Sequence, residues 1–309
     1  MSNIIDYVSW RGDLDFTASP FNEVDSLILT QLVYLDFRGI VPGIHSRSSV
    51  TLEKAAEEYF AGHSNQAEES GGQLLKDCRM VLKAVMGTER FKNCRLSRYI
   101  EDISEEKEYQ FSAVKIVPED GSIYISFSGT DSSLAGWKEN FNMSYLARTP
   151  GQERAVQYVQ KVLETGRKPV RLGGHSKGGN LAVYAAIKGG KHIQNRLRAV
   201  YNFDGPGFNE DMVKQEEYQN ILPKLHTLIP QSSVIGMLLE HEEDYTVVES
   251  TEKGLLQHRA LSWKVMGSHF VYSKGLSQSS IFWNETLKQW IAGMEKQEKK
   301  EFVDALFGH

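Results

Sequence analysis

Apolar residues recur at helical spacing through the first third of the chain. Val24, Leu27, Ile28, Leu32, Val33 and Leu35 form one stripe, preceded by Pro20 and Asn22 and closed near Gly39 and Pro42. Thr51 opens a second helix from Leu52 to about Ala61, and the polar, glycine-containing stretch Ser64–Gly72 reads as a mobile loop. Leu74, Leu75, Cys78, Val81, Leu82 and Val85 mark one side of a third helix. The period then changes. Tyr109–Val117 is strand-like, Glu119-Asp120-Gly121 is a turn, and Ser122–Ser128 alternates Ile123, Ile125 and Phe127 inward. Helices and short apolar strands take turns from there: helix Gln152–Glu164, strand Pro169–Leu172, helix Lys177–Lys188, then strands Leu197–Phe203, Leu225–Ile229 and Tyr245–Val248. A long helix from about Ser277 to Met294 runs into the charged, solvated Glu295–Glu301. A hairpin feeding alternating β and α units predicts an α/β fold, a mostly parallel sheet with helices on both faces. The expectation is one domain over residues 1–309, with a helical N-terminal layer (1–94) against the sheet and helices of 95–309.

Composition narrows the function classes. At 40% hydrophobic and 24% charged over 309 residues, the chain is neither disordered nor fibrous. A net charge of −5 gives no global field toward nucleic acid or anionic lipid. Cys78 and Cys94 allow one bridge at most, so free thiols in a reducing cytoplasm are expected. The start, Met1 to Asp6, lacks a basic n-region. Leu27–Leu35 and Val234–Leu239 fall short of the ~18–20 apolar residues a membrane span needs. A cytoplasmic protein without stable membrane insertion or a nucleic-acid partner is expected.

The chemical signal is Gly174-His175-Ser176-Lys177-Gly178, between a predicted strand and a predicted helix. A serine hydroxyl reacts only when exposed, aligned and next to a base. Small residues two before and two after Ser176 permit a strained turn that lifts its Oγ from the sheet's carboxyl edge. The helix start places the Lys177 N–H where an oxyanion would form, and Thr130, at the end of Ile125-Ser126-Phe127-Ser128-Gly129-Thr130-Asp131, is the second candidate donor. Nucleotide loops do not fit: there is no G-x-x-x-x-G-K-[ST], and Gly205-Pro206-Gly207 lacks a third glycine. For the base, His258 follows the strand Tyr245–Val248 by a short loop, and His269 beside Phe270-Val271-Tyr272 is the competitor. For the acid, Asp204 closes a strand in Phe203-Asp204-Gly205-Pro206-Gly207; Asp244 and Asp211 are alternatives. Pro230-Gln231-Ser232-Ser233, after the next strand, holds no carboxylate.

These residues resemble lipase-like α/β hydrolases, and among them a lipase-like bacterial family that long carried only a domain-of-unknown-function label. The resemblance rests on Phe127–Asp131, Trp137, Gly174–Ala182, Phe203–Gly207 and Gln257-His258, with Trp10–Leu14 and Phe21–Asp25 near the start. It implies an α/β-hydrolase fold and a serine hydrolase of short- to medium-chain carboxylic esters. The triad is Ser176, His258 and Asp204; Thr130 and Lys177 form the oxyanion hole, and no metal or organic cofactor is used. Class 3 lipases usually carry Leu where this chain has Lys177, and their acid on the later strand is replaced by the Ser232–Ser233 region. Asp204 resembles instead the acid position of pancreatic-type lipases. These departures point away from long-chain triglycerides while leaving ester hydrolysis intact. In lipases the segment corresponding to Ser132–Gln152 often forms a lid. Here Trp137 and Phe141 are available from it to line an acyl pocket, with Leu238 of Val234–Leu239 on the other wall. The partner is a small acyl ester. Thioesterase, amidase or acyltransferase chemistry would use the same residues, and a non-catalytic binding scaffold is the remaining alternative.

Overall fold

Short polar side chains start the helices that support the sheet. Asn3, Asn22 and Thr149 each accept from the backbone of the first turn, and Asp6, Asp25 and Gln152 reach back to the capping residue's own N–H. Such reciprocal boxes satisfy two of the donors that a helix start leaves open. They fix α1 (Ile4–Arg11) and α2 (Glu23–Leu32), and further along a helix at Pro150–Val162. The last begins two residues before the Gln152 expected, because Thr149 takes the cap and Pro150 the first turn. The computed structural model describes residues 2–63, 72–104, 109–129, 148–278 and 280. The loop expected at Ser64–Gly72 lies almost wholly outside the described residues, as does most of the helix expected from Ser277 to Met294.

In chain order β1 is Val50–Thr51, α3 Leu52–Gly62, α4 Gln73–Val85, β2 Arg95–Ser104, β3 Tyr109–Val117, β4 Ile123–Phe127 and α5 Pro150–Val162. Then come β5 Val170–His175, α6 Lys177–Lys188, β6 Leu197–Phe203, β7 Leu225–Pro230, β8 Tyr245–Val248, β9 Val265–Met266 and β10 His269–Phe270. Strands β1 to β8 lie side by side in sequence order in one sheet, and β9 and β10 form a separate hairpin. The pairs from β1 to β4 are antiparallel and those from β4 to β8 are parallel. Parallel neighbours place their carboxyl ends along one edge, and the strand-to-helix turns gather there.

Two elements lie beyond the periodicity reading. α1 has only eight residues, burying Ile4, Tyr7 and Val8. In β2 the register slips between Ser97 and Ile100, and Arg98 adopts φ 58°, which breaks the alternation a strand would show. The sheet therefore begins before Tyr109.

Side chains alternate between two apolar layers as the strand period demands. Val114, Ile116, Tyr124, Tyr201 and Phe203 pack against α1–α4 and the C-terminal hairpin. Phe111, Ala113, Ile123, Ile125, Phe127 and Val200 face α5 and α6. The N-terminal layer is fastened through a buried ion pair, with Arg90 Nε 2.7 Å from Asp25 Oδ1 and Nη2 2.5 Å from Oδ2. The remaining Arg90 donors reach the carbonyls of Leu14, Asp15, Ser19 and Pro20, and the Tyr7 hydroxyl donates to Asp25. A sequentially ordered, mostly parallel sheet, flanked by helices and carrying a tight strand-to-helix turn after β5, is an α/β-hydrolase fold.

Candidate active site

Ser176 stands between β5 and α6 at φ 58°, ψ −133°. That region is nearly closed to residues with a Cβ, and holding one there costs about 1–3 kcal/mol. The surroundings enforce it. A Cβ on Gly174 would sit 2.1 Å from the Gly178 carbonyl carbon, and one on Gly178 would sit 2.2 Å from the Phe127 carbonyl oxygen. Only glycine fits at either position. The Ser176 N–H donates to the Phe203 carbonyl at 2.8 Å, so the neighbouring strand holds the turn from the other side. Lys177 opens α6, and its buried Nζ donates to the Gln110 carbonyl at 2.7 Å.

One strand over, Asp204 ends β6 in a second left-handed turn, at φ 52°, its N–H donating to Leu228. Its carboxylate is buried. Oδ2 accepts from His258 Nδ1 at 2.6 Å, while Oδ1 accepts from the Ser233 hydroxyl at 2.5 Å and the Gly236 N–H at 3.2 Å. With Nδ1 engaged, Nε2 is the imidazole nitrogen left for chemistry. The structure thus brings Asp204 and His258 together, far apart as they are in the chain. Asp211 and Asp244 are exposed, and His269 lies on β10, its Nδ1 at its neighbour's carbonyl and its ring against Tyr272.

The short 3-10 turn carrying His258 (Gly254–His258) is pinned on several sides. Gln257 accepts from the Ser232 N–H, its carbonyl accepts from Trp263 Nε1, and Arg259 makes two hydrogen bonds to Asp77 of α4. His175 adds a further hold. Its Nε2–H donates to the His258 carbonyl at 2.8 Å, and the two rings lie 4.5 Å apart. Burial, reinforced by the nearby His258, pushes the His175 pKa down to about 3. A neutral ring bonded this way leaves Nδ1 unprotonated, and that atom is buried without a hydrogen-bond partner among the described residues.

A cavity of about 60 Å³ opens beside the pair, lined by Asp204, His258, Ser232, Ser233, Val234, Ile235 and Leu255. Leu238, expected on the wall of an acyl pocket, is not among the residues that line this cavity. The chain turns so that Leu238 N–H bonds Ile235 and its carbonyl accepts from Gly207, leaving Val234 and Ile235 to face the cavity. Thr130, Trp137 and Phe141 lie outside the described residues. Sequence reasoning passed over Ser233 and Gly236 because it sought a carboxylate after β7, where the chain supplies hydrogen-bond donors to one. Nothing in the sequence context of His175 signals its role as a brace for the His258 turn.

Among the described residues no helix is long and apolar enough to cross a membrane, and no cluster of His, Cys, Asp or Glu could hold a metal ion. No curated protein matches the chain. The native propeptide complex of Rhizomucor miehei lipase shares 15% identity and a TM-score of 0.40 over 55% of this chain and 59% of that one. The match therefore spans less than two thirds of that lipase. M37 lipase shares 14% identity over 68% of both chains, with a TM-score of 0.40. A deletion mutant of the Rhizomucor miehei complex shares 14% over 62% of this chain and 70% of that one, at 0.44. The Mbeg1-like family model matches residues 85–308, well over half of the sequence. A protein with this elbow, this sheet and that match belongs to the Mbeg1-like family.

Proposed function

We propose that the protein is a serine hydrolase of small carboxylic esters, acting through Ser176, His258 and Asp204. The observation that carries the reading is the His258 Nδ1 to Asp204 Oδ2 hydrogen bond, with a serine held at positive φ on the turn after the neighbouring strand. His258 Nε2 takes the Ser176 proton as Oγ attacks the acyl carbonyl, and the carbonyl π electrons move onto oxygen. The Lys177 and Thr130 N–H groups receive that oxyanion. Collapse expels the alcohol, which leaves with the proton from His258. Water, deprotonated by His258, then attacks the acyl-enzyme; the acid is released as the Ser176 C–O bond breaks and His258 returns the proton to Ser176 Oγ. Asp204 keeps the imidazole in the tautomer with Nε2 as acceptor and stabilises its charged form.

A fluorophosphonate probe and a p-nitrophenyl ester series of increasing chain length test this. Wild type is expected to be labelled and to prefer short to medium chains. Ser176→Ala is expected to lose labelling and about 10⁶ in kcat. An unlabelled wild type overturns the proposal. Activity rising steadily to long chains, or faster cleavage of acyl thioesters than of oxygen esters, overturns the substrate assignment.

A further inference from the structure

Tyr34 belongs to the N-terminal layer, just after α2, yet its hydroxyl sits at the catalytic edge of the sheet. The phenol oxygen accepts from the Gly129 N–H at 2.9 Å and donates to the His175 carbonyl at 3.1 Å. Gly129 directly precedes Thr130, and His175 directly precedes Ser176. The phenol thus joins the two chain segments that continue into the proposed oxyanion donors. The β4–β5 ladder ends at Phe127 opposite Gly174. Two residues further on, the phenol takes over the spacing between the strands.

There is almost no slack at this junction. A Cβ on Gly129 would lie 2.6 Å from the Tyr34 oxygen, 2.9 Å from the His175 oxygen and 3.2 Å from Ser176 Cβ. Any side chain at residue 129 would collide with the phenol and the His175 carbonyl and crowd the nucleophile at once. Burial pushes the Tyr34 pKa up, so the hydroxyl keeps its proton, and both bonds keep their sense, across the working pH range.

We propose that Tyr34 is a positioning residue for the oxyanion site: its hydroxyl ties the Gly129 backbone to the His175 carbonyl and so holds the turn from which the Ser176 hydroxyl and the Lys177 N–H project. This rests on the ester-hydrolase reading above. Oxyanion donors act through preorganised geometry, and losing one outright costs about 10²–10³ in kcat. Misaiming one costs less.

The test is Tyr34→Phe, which keeps the ring that packs against the core and removes only the hydroxyl. Rates are normalised to the serine titrated by fluorophosphonate, so any unfolded fraction drops out. kcat is expected to fall roughly 10- to 100-fold with KM and the acid limb of the pH profile unchanged. A trifluoromethyl ketone analogue of the substrate, whose hemiketal oxygen takes the place of the oxyanion, is expected to bind weaker by the same factor. Wild-type kcat and inhibitor affinity in the Phe variant overturn the proposal. So does a loss of kcat with inhibitor affinity unchanged, or one explained by a shifted acid limb. A wild type that neither labels nor hydrolyses esters overturns the ester-hydrolase reading itself, and the Tyr34 assignment with it.

Discussion

Replacing Asp204 with Asn changes one oxygen to a nitrogen in a buried pocket whose remaining contacts dictate how the amide must turn. The Oδ1 side faces two donors, the Ser233 hydroxyl at 2.5 Å and the Gly236 N–H at 3.2 Å. A hydroxyl can rotate to accept, but a backbone N–H cannot. If the NH₂ faced Gly236, two donors would meet and leave a buried N–H unsatisfied, at about 1–3 kcal/mol. The amide oxygen therefore stays with Gly236 and the NH₂ points at His258. Nδ1 must then accept, which places the imidazole proton on Nε2. In that tautomer His258 cannot take a proton from Ser176. The negative charge that stabilises the imidazolium is gone as well. The expected loss in kcat is about 10⁴, the effect of an inverted tautomer in such a triad, or about 5.5 kcal/mol of barrier. Hydrolysis of p-nitrophenyl butyrate and the rate of fluorophosphonate labelling should fall together, while the urea midpoint moves little. An Asp204→Asn enzyme within about tenfold of wild type would show that Asp204 does not set the tautomer of the base.

Ser233→Ala removes one donor to the buried carboxylate, a type of bond worth about 1.5–3 kcal/mol, and should lower kcat roughly 10-fold at unchanged KM. Wild-type kcat would mean that Gly236 alone holds Asp204. Arg90→Met leaves Asp25 charged and buried without its partner, and urea unfolding should show a loss of about 3–5 kcal/mol. Adding Asp25→Asn should recover part of it, and a single variant as stable as wild type would refute the tie. His175 is neutral when folded, with its pKa down at about 3, whereas an unfolded histidine titrates near 6.5. Between those values the unfolded chain binds the extra proton, so stability falls as pH falls below about 6.5, at about 1.4 kcal/mol per pH unit from this residue. Urea midpoints at pH 5.5 and 4.5 should therefore separate more in wild type than in His175→Gln; equal separations would contradict the assignment.

What could be read from the sequence is what local sterics and period control. Gly174 and Gly178 announce the turn because no other residue fits their contacts, and strand order then narrows the edge to which Asp204 and His258 return. Helix α2 was legible from Asn22 and its apolar stripe. Strand β2 was not, since Arg98 interrupts its alternation at the register slip. Ser233, Gly236 and Tyr34 act through hydrogen bonds closed across the fold. A lone serine, glycine or tyrosine carries no spacing that foretells such a partner.

The fastening of the N-terminal layer has a practical consequence for anyone trimming this protein. The family match starts at residue 85, an inviting place to cut. A clone begun there would strip the cover from Tyr124, Tyr201, Phe203 and Trp263, cast off Asp77 as the anchor of Arg259, and strand Arg90 without a counterion. Such a fragment should collect in inclusion bodies. Homologues shortened at this end would need a replacement roof over the same face of the sheet.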